Sequence, residues 1–163
     1  MRQIWAPWRG EFITGPKPSS CFLCEAATAS PVRDAELHVL ARTASSLAIL
    51  NRYPYNNGHL LVAPRAHLAR LQDLPGETAI DLTLLSQRAL RALAATLKPE
   101  GFNLGINQGK VAGAGVADHV HQHIVPRWSG DTNFMPVLSD VKVMNEHLDA
   151  SYEAIRQGFE RVP

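Results

Sequence analysis

The chain has little cysteine, no long apolar run and no excess of either charge, and each shortage removes a class of function. Its two cysteines among 163 residues stand three positions apart, as Cys21 and Cys24. That is too little for the disulfide framework of a small secreted domain. No stretch approaches the roughly 18 consecutive apolar residues of a membrane-crossing helix, so no membrane partner is expected. The 16 basic and 15 acidic residues are interspersed and leave a formal charge of +1. A concentrated basic stripe, the footprint of a duplex nucleic-acid binder, is missing. The opening Met1-Arg2-Gln3-Ile4-Trp5-Ala6-Pro7-Trp8-Arg9 has no apolar core behind its charge and does not read as a signal peptide. A cytoplasmic protein is expected. The 45% hydrophobic content suffices for one domain over residues 1–163.

Residues 1–20 form an irregular aromatic lead-in ending in Gly15-Pro16-Lys17-Pro18-Ser19-Ser20. Short apolar runs then follow at His38-Val39-Leu40, Leu47-Ala48-Ile49-Leu50 and His59-Leu60-Leu61-Val62-Ala63 and predict strands. Pro54 and the Asn57-Gly58 pair mark a turn between the last two, and Pro64 stops the third. A long helix opens at Pro75-Gly76-Glu77, with Ile80, Leu84, Leu85, Ala89, Leu93 and Leu97 as its apolar stripe. Arg88 and Arg91 fall off that stripe, and Lys98-Pro99-Glu100-Gly101 ends the helix. Phe102 to Asn107 reads as a further strand, and Gly109 to Gly115 as a flexible loop. Residues 141–161 read as a C-terminal helix anchored by Met144, Leu148, Ile155 and Phe159. Strands, a long helix, strands and a final helix argue for an α+β fold with an antiparallel sheet.

The densest chemistry lies in His119-Val120-His121-Gln122-His123-Ile124-Val125-Pro126-Arg127. In an extended strand the three histidines share one face, about 6.7 Å apart, with Val120 and Ile124 behind them. A histidine is a nucleophile when one ring nitrogen donates to a carbonyl and the other keeps its lone pair. Its neighbours then hold negative oxygens, and backbone N–H groups of the preceding glycine-rich loop come close to them. Such a face suits attack on phosphorus. A His-rich solvent-facing strand or a plain metal site would give the same spacing.

Cys21-Phe22-Leu23-Cys24 is spaced as half of a zinc site. His67, just past a strand end, and His119 are the best candidates for the other half. Two buried cysteines acting as small hydrophobes would look alike. His59 suits a structural role as well as a functional one. Asn51 reads either as a turn residue or as a ribose binder, since its amide both donates and accepts. Ile49 and Leu61 read as core, or as the apolar floor of a base pocket. Trp5, Trp8 and Trp128 suit core, interface or base stacking equally.

These motifs together resemble the histidine triad (HIT) superfamily, whose signature is three histidines alternating with apolar residues and followed by two more. Here the second apolar position is Gln122. The likeness runs from about Cys21 to Asp131 through Asn51, Gly58-His59-Leu60-Leu61-Val62 and Pro126-Arg127-Trp128-Ser129-Gly130-Asp131. The segment Ile4 to Arg9 looks like the bacterial branch grouped with diadenosine tetraphosphate phosphorylases. The resemblance implies an α+β, HIT-like fold: a five-stranded antiparallel sheet with one long central helix and a C-terminal helix, paired as a homodimer. It makes His121 the nucleophile on the α-phosphate of a dinucleoside polyphosphate or other adenine nucleotide. His123 and His59 would hold the phosphate, Asn51 the ribose, Ile49 and Leu61 the base, and Asn107 and Gln108 further phosphate oxygens. It assigns Cys21, Cys24, His67 and His119 to structural Zn2+, and implies no organic cofactor. Where relatives carry Gln or Ser beside the leaving oxygen, this chain has Gly115, whose backbone N–H alone can act there.

The leading expectation is therefore a nucleotidyl hydrolase or phosphorylase working through a covalent nucleotidyl-histidine. The alternative is a nucleotide-binding regulator with negligible turnover, which Gly115 keeps in view. A third reading, a purely structural zinc module, predicts that nucleotide binds nowhere near His121.

Overall fold

The computed structural model describes residues 20–131 and 146–163. Trp5, Trp8 and Met144 lie outside the described residues. Helix α1 (Phe22–Thr28) follows Cys21 directly, and the one-turn helix α2 (Asp34–Leu37) ends on His38 in the left-handed region, at φ 59°. Then come β1 (Val39–Arg42), β2 (Ser46–Leu50), β3 (Leu60–Pro64), the long helix α3 (Gly76–Leu97), β4 (Gly101–Ile106), β5 (Gln122–Arg127) and helix α4 (Leu148–Arg161). The five strands form one sheet in the order β1-β2-β3-β5-β4, every pair antiparallel. The α+β architecture expected from the strand and helix pattern is the one observed.

The sheet is covered on both faces, which is why β2 and β3 are continuous apolar runs rather than alternating ones. On one face Leu50, Leu60, Val62 and Ile124 pack against Leu85, Ala89 and Leu93 of α3 and Ile155 and Phe159 of α4. On the other, Val39, Leu47, Ile49, Leu61 and Ala63 pack against Leu23, Ala26 and Ala27 of α1. Helices α3 and α4 meet closely at Gly158, where a Cβ would lie 2.9 Å from the Ala92 carbonyl oxygen. Arg88, off the stripe as expected, donates to the Phe159 and Val162 carbonyls at the end of α4.

Three sequence expectations change here. The buried stripe of α3 is Thr78, Leu82, Leu85, Ser86, Ala89, Ala92 and Leu93, whereas Ile80 and Leu84 are 63% and 56% exposed. Apolar residues flank the stripe on both sides, so periodicity alone did not choose the face. Of the expected C-terminal helix, residues 141–145 lie outside the described residues, and 146 and 147 are not helical. The helix runs from Leu148 to Arg161, capped by the His147 side chain, which accepts from the Asp149 N–H. Most consequentially, the sheet ladder starts at Gln122. His119 and His121 precede it, in a segment whose Val120 N–H donates to the Leu68 carbonyl at 2.6 Å. Only His123 stands on the ladder, opposite Leu61 on one side and Gly105 on the other. Gln122 faces α3, where Ser86 Oγ lies 2.7 Å from its side-chain oxygen. No helix among the described residues is long and apolar enough to cross a membrane.

Candidate active site and metal centre

The turn before β3, the approach to β5 and the start of β5 bring His59, His121, His123 and Asn51 together on the face away from α3. The turn folds through local hydrogen bonds. Asn51 Oδ1 accepts from the Tyr53 N–H at 3.0 Å, and the His59 N–H donates to the Asn56 carbonyl at 3.1 Å. Asn56 Nδ2 then donates to the Pro126 carbonyl and to Asp131, both at 2.9 Å, which ties the turn to the end of β5. Asp131 is also held by Arg127. Gly58 closes the turn at φ 72°, with its α-carbon pressed against α3.

Hydrogen bonds define what each imidazole presents. His121 Nδ1–H donates to the His119 carbonyl at 2.8 Å, so Nε2 keeps its lone pair. Burial holds His121 below the ordinary histidine value, and therefore neutral. His123 lies next to it, ring centroids 4.9 Å apart. Burial and the neighbouring His121 lower its pKa to about 4. His59 Nε2 and His123 Nδ1 are 2.9 Å apart. His123 Nε2 is buried without a hydrogen-bond partner among the described residues. A neutral imidazole lone pair beside a buried nitrogen that has no partner among the described residues is an arrangement able to receive an anionic phosphoryl group.

His119 belongs to a second cluster. Its Nε2–H donates to the Pro64 carbonyl at 2.8 Å, which aims the Nδ1 lone pair at Cys21 Sγ, 3.3 Å away, and Cys24 Sγ, 3.5 Å away. His67 Nδ1 is 3.1 Å from Cys24 Sγ. The four donor atoms lie within 4.8 Å of one another. Tetrahedral zinc at ordinary bond lengths requires donors about 3.3–3.8 Å apart, a range that holds the separations of His119 from Cys21 and Cys24, and the two-thiol, two-imidazole set suits that ion. Burial pushes the Cys24 thiol up, a cost that a bound cation reverses.

The remaining expected residues are placed less centrally. Ile49 and Leu61 are both buried in the α1 cluster, paired across β2 and β3. Leu61 is itself paired with His123, so the three form one row across the sheet. Gln108 is exposed, and its side-chain oxygen accepts from the Leu71 N–H at 2.9 Å. Asn107 is half-buried at the start of the glycine loop, near Gly113, and Gly115 is exposed. Sequence reasoning missed Tyr55, whose ring centroid lies 4.6 Å from that of His59 and 5.7 Å from that of His123. Its place in the turn four residues before His59 was the only signal.

The HIT domain profile matches residues 32–130, more than half of the chain. The chain belongs to the HIT family. This HIT protein is 33% identical to the AP-4-A phosphorylase of Mycobacterium tuberculosis, over all of its own length and 87% of that protein. It is 36% identical to an adenosine 5'-monophosphoramidase of Schizosaccharomyces pombe over 66% of its length and 74% of the yeast protein. A zinc-bound histidine triad protein from Mycobacterium smegmatis superposes with a TM-score of 0.68 at 30% identity, covering 87% of this HIT chain and 94% of the other.

Proposed function

We propose that this protein cleaves dinucleoside polyphosphates, or related nucleoside 5′-phosphate adducts, through a covalent nucleotidyl group on His121. The carrying observation is the bond from His121 Nδ1–H to the His119 carbonyl, which leaves a buried, neutral Nε2 lone pair. In the first step Nε2 attacks the α-phosphorus and a P–N bond forms. The P–O bond to the rest of the polyphosphate breaks, and its electron pair leaves with the bridging oxygen. In the second step the oxygen of water or inorganic phosphate displaces Nε2, which recovers its electron pair, and the attacking oxygen gives up any proton it carried to solvent. His123 and His59 steady the phosphoryl oxygens, Asn51 the ribose, and Ile49 and Leu61 the apolar side of the base. Asn107, Gln108 and the Gly115 backbone serve the oxygens of the departing chain.

Cys21, Cys24, His67 and His119 would hold zinc as a closed structural cross-link between α1, the segment after β3 and the approach to β5. We also infer a homodimer, because Ile80 and Leu84 on α3 and Leu104 on the edge strand β4 are large apolar residues left uncovered. Ile80→Glu should then convert the dimer to a monomer in light scattering.

The function is tested by incubating the protein with α-labelled diadenosine tetraphosphate and quenching in base to preserve an acid-labile adduct. Wild type should carry label and His121→Ala none. An unlabelled wild type, or a labelled His121→Ala, rejects the reading. Products formed with and without inorganic phosphate separate phosphorolysis, which gives ADP, from hydrolysis, which gives AMP. A single stoichiometric burst with no turnover would instead mark the nucleotide-binding regulator that exposed Gly115 allows.

A further inference from the structure

We propose that Tyr55 is a positioning residue for the phosphate donor: its backbone N–H sets a one-way hydrogen-bond chain through His59, and its ring keeps His59 and His123 in register. The inference rests on the functional reading above for its catalytic meaning, but the chain itself is a property of the free protein.

The direction of the chain follows from its first member. A backbone amide can only donate, and the Tyr55 N–H donates to His59 Nδ1 at 3.0 Å. The Asn51 carboxamide supports the same polarity. Its oxygen is engaged by the Tyr53 N–H, so its nitrogen is the end that lies 3.2 Å from His59 Nδ1. A neutral His59 therefore carries its proton on Nε2, which donates to His123 Nδ1 at 2.9 Å. His123 in turn must hold its own proton on Nε2, the buried nitrogen that has no partner among the described residues. The chain thus ends in an N–H with no acceptor among the described residues, a group that a phosphoryl oxygen would satisfy. The opposite polarity would end in a lone pair that repels phosphate.

The ring does the second part. Tyr55 lies across both imidazoles, its plane 35° from that of His59 and 22° from that of His123. It is 45% exposed, so it contributes little to the core and its outer face meets solvent. Such a ring excludes water from the His59–His123 bond, where a water could otherwise insert and reverse the proton order.

The experiment uses the full chain, with its bound metal if it has one, labelled with 15N on histidine. Two-bond correlation spectra read the tautomer of His59 and His123 without substrate. Both should be Nε2–H in wild type and in Tyr55→Phe. Tyr55→Ala should fold, mix tautomers at His123 and lose about 10-fold or more in kcat with a smaller change in KM. Tyr55→Leu, which keeps apolar volume without a planar ring, replaces Tyr55→Ala if the latter is unstable. An Nδ1–H tautomer at either histidine in wild type overturns the proposal whatever the activity. So does a truncated variant that keeps wild-type tautomers and kcat within about two-fold. Failure of wild type to form an adduct, with the tautomers as stated, rejects the functional reading and leaves the proton chain intact.

Discussion

His121 hangs from the backbone of His119: the Nδ1–H of the first donates to the carbonyl oxygen of the second at 2.8 Å. The same His119 turns its side chain the other way, with Nδ1 toward Cys21 and Cys24. His119 therefore joins the proposed nucleophile to the candidate metal cluster, and disorder at the cluster would reach His121 through the His119 carbonyl.

Removal of metal is the direct check on that link. Chelation or Cys24→Ser should lower Tm by about 10 °C, the equivalent of about 3 kcal/mol in a domain of this size. Adduct formation at His121 should slow in parallel. Elemental analysis should find zinc in wild type and little in Cys24→Ser. Equal Tm and equal labelling with and without chelator would contradict both roles.

His123 should remain neutral far into acid. Its folded value of about 4 lies below the ordinary 6.5, so between those pH values the unfolded chain binds a proton that the folded chain does not. Stability therefore falls as pH drops through this window, by on the order of 3 kcal/mol, and this loss is complete below about pH 4. NMR titration should place the His123 midpoint near the lower value, and His123→Gln should flatten the decline in Tm between pH 6 and 4. A midpoint between 6 and 7 would sink the claim.

Gly58→Ala should be strongly destabilising. The position has φ 72°, and an added Cβ would sit 2.4 Å from Leu97 Cδ1 and 3.3 Å from both Leu93 and Pro126. The left-handed backbone and overpacking together cost roughly 2–4 kcal/mol. Denaturant titration gives the number directly. Because His59 follows immediately, nucleotide binding should weaken too, and a variant within 0.5 kcal/mol of wild type would refute the close packing.

Gln122 departs from the apolar residue expected in the triad signature, and Ser86 explains it. Ser86 Oγ lies 2.8 Å from the Leu82 carbonyl and 2.7 Å from Gln122 Oε1. Ser86→Ala removes the donor facing a part-buried amide and should cost about 1–2 kcal/mol. Gln122→Leu leaves Ser86 its helical carbonyl and should cost less than about 1 kcal/mol. A double-mutant cycle should show coupling between the two; strict additivity would mean the contact contributes nothing.

Much of the fold was legible because hydrophobic burial is written into periodicity. Leu47 to Leu50 and Leu60 to Ala63 are unbroken apolar runs, and unbroken runs belong to strands covered on both faces. The boundaries of α3 were legible from Pro75 and Lys98, but its buried face was not. Thr78 and Ser86 are inside while Ile80 and Leu84 are outside, and that choice depends on what each side of the helix meets.

For the site, residue type and spacing pointed to His121, His123 and the four members of the candidate metal cluster, whereas His59 was picked out only by the family resemblance. These are the residues whose chemistry is intrinsic, since imidazoles and thiols have few substitutes in ligation or attack on phosphorus. What only the tertiary structure decided is which nitrogen of each ring carries the proton. For two rings it depends on partners remote in sequence, Pro64 for His119, 55 residues away, and His59 for His123, 64 residues away. For His121 and His59 the partners are near in sequence, but the fold sets the geometry of the contact. Tyr55 escaped notice for the same reason, because a ring stacked across two histidines leaves no periodicity behind. The sequence named the reactive groups; folding gave each a direction, because hydrogen-bond polarity is a property of the pair and not of either residue alone.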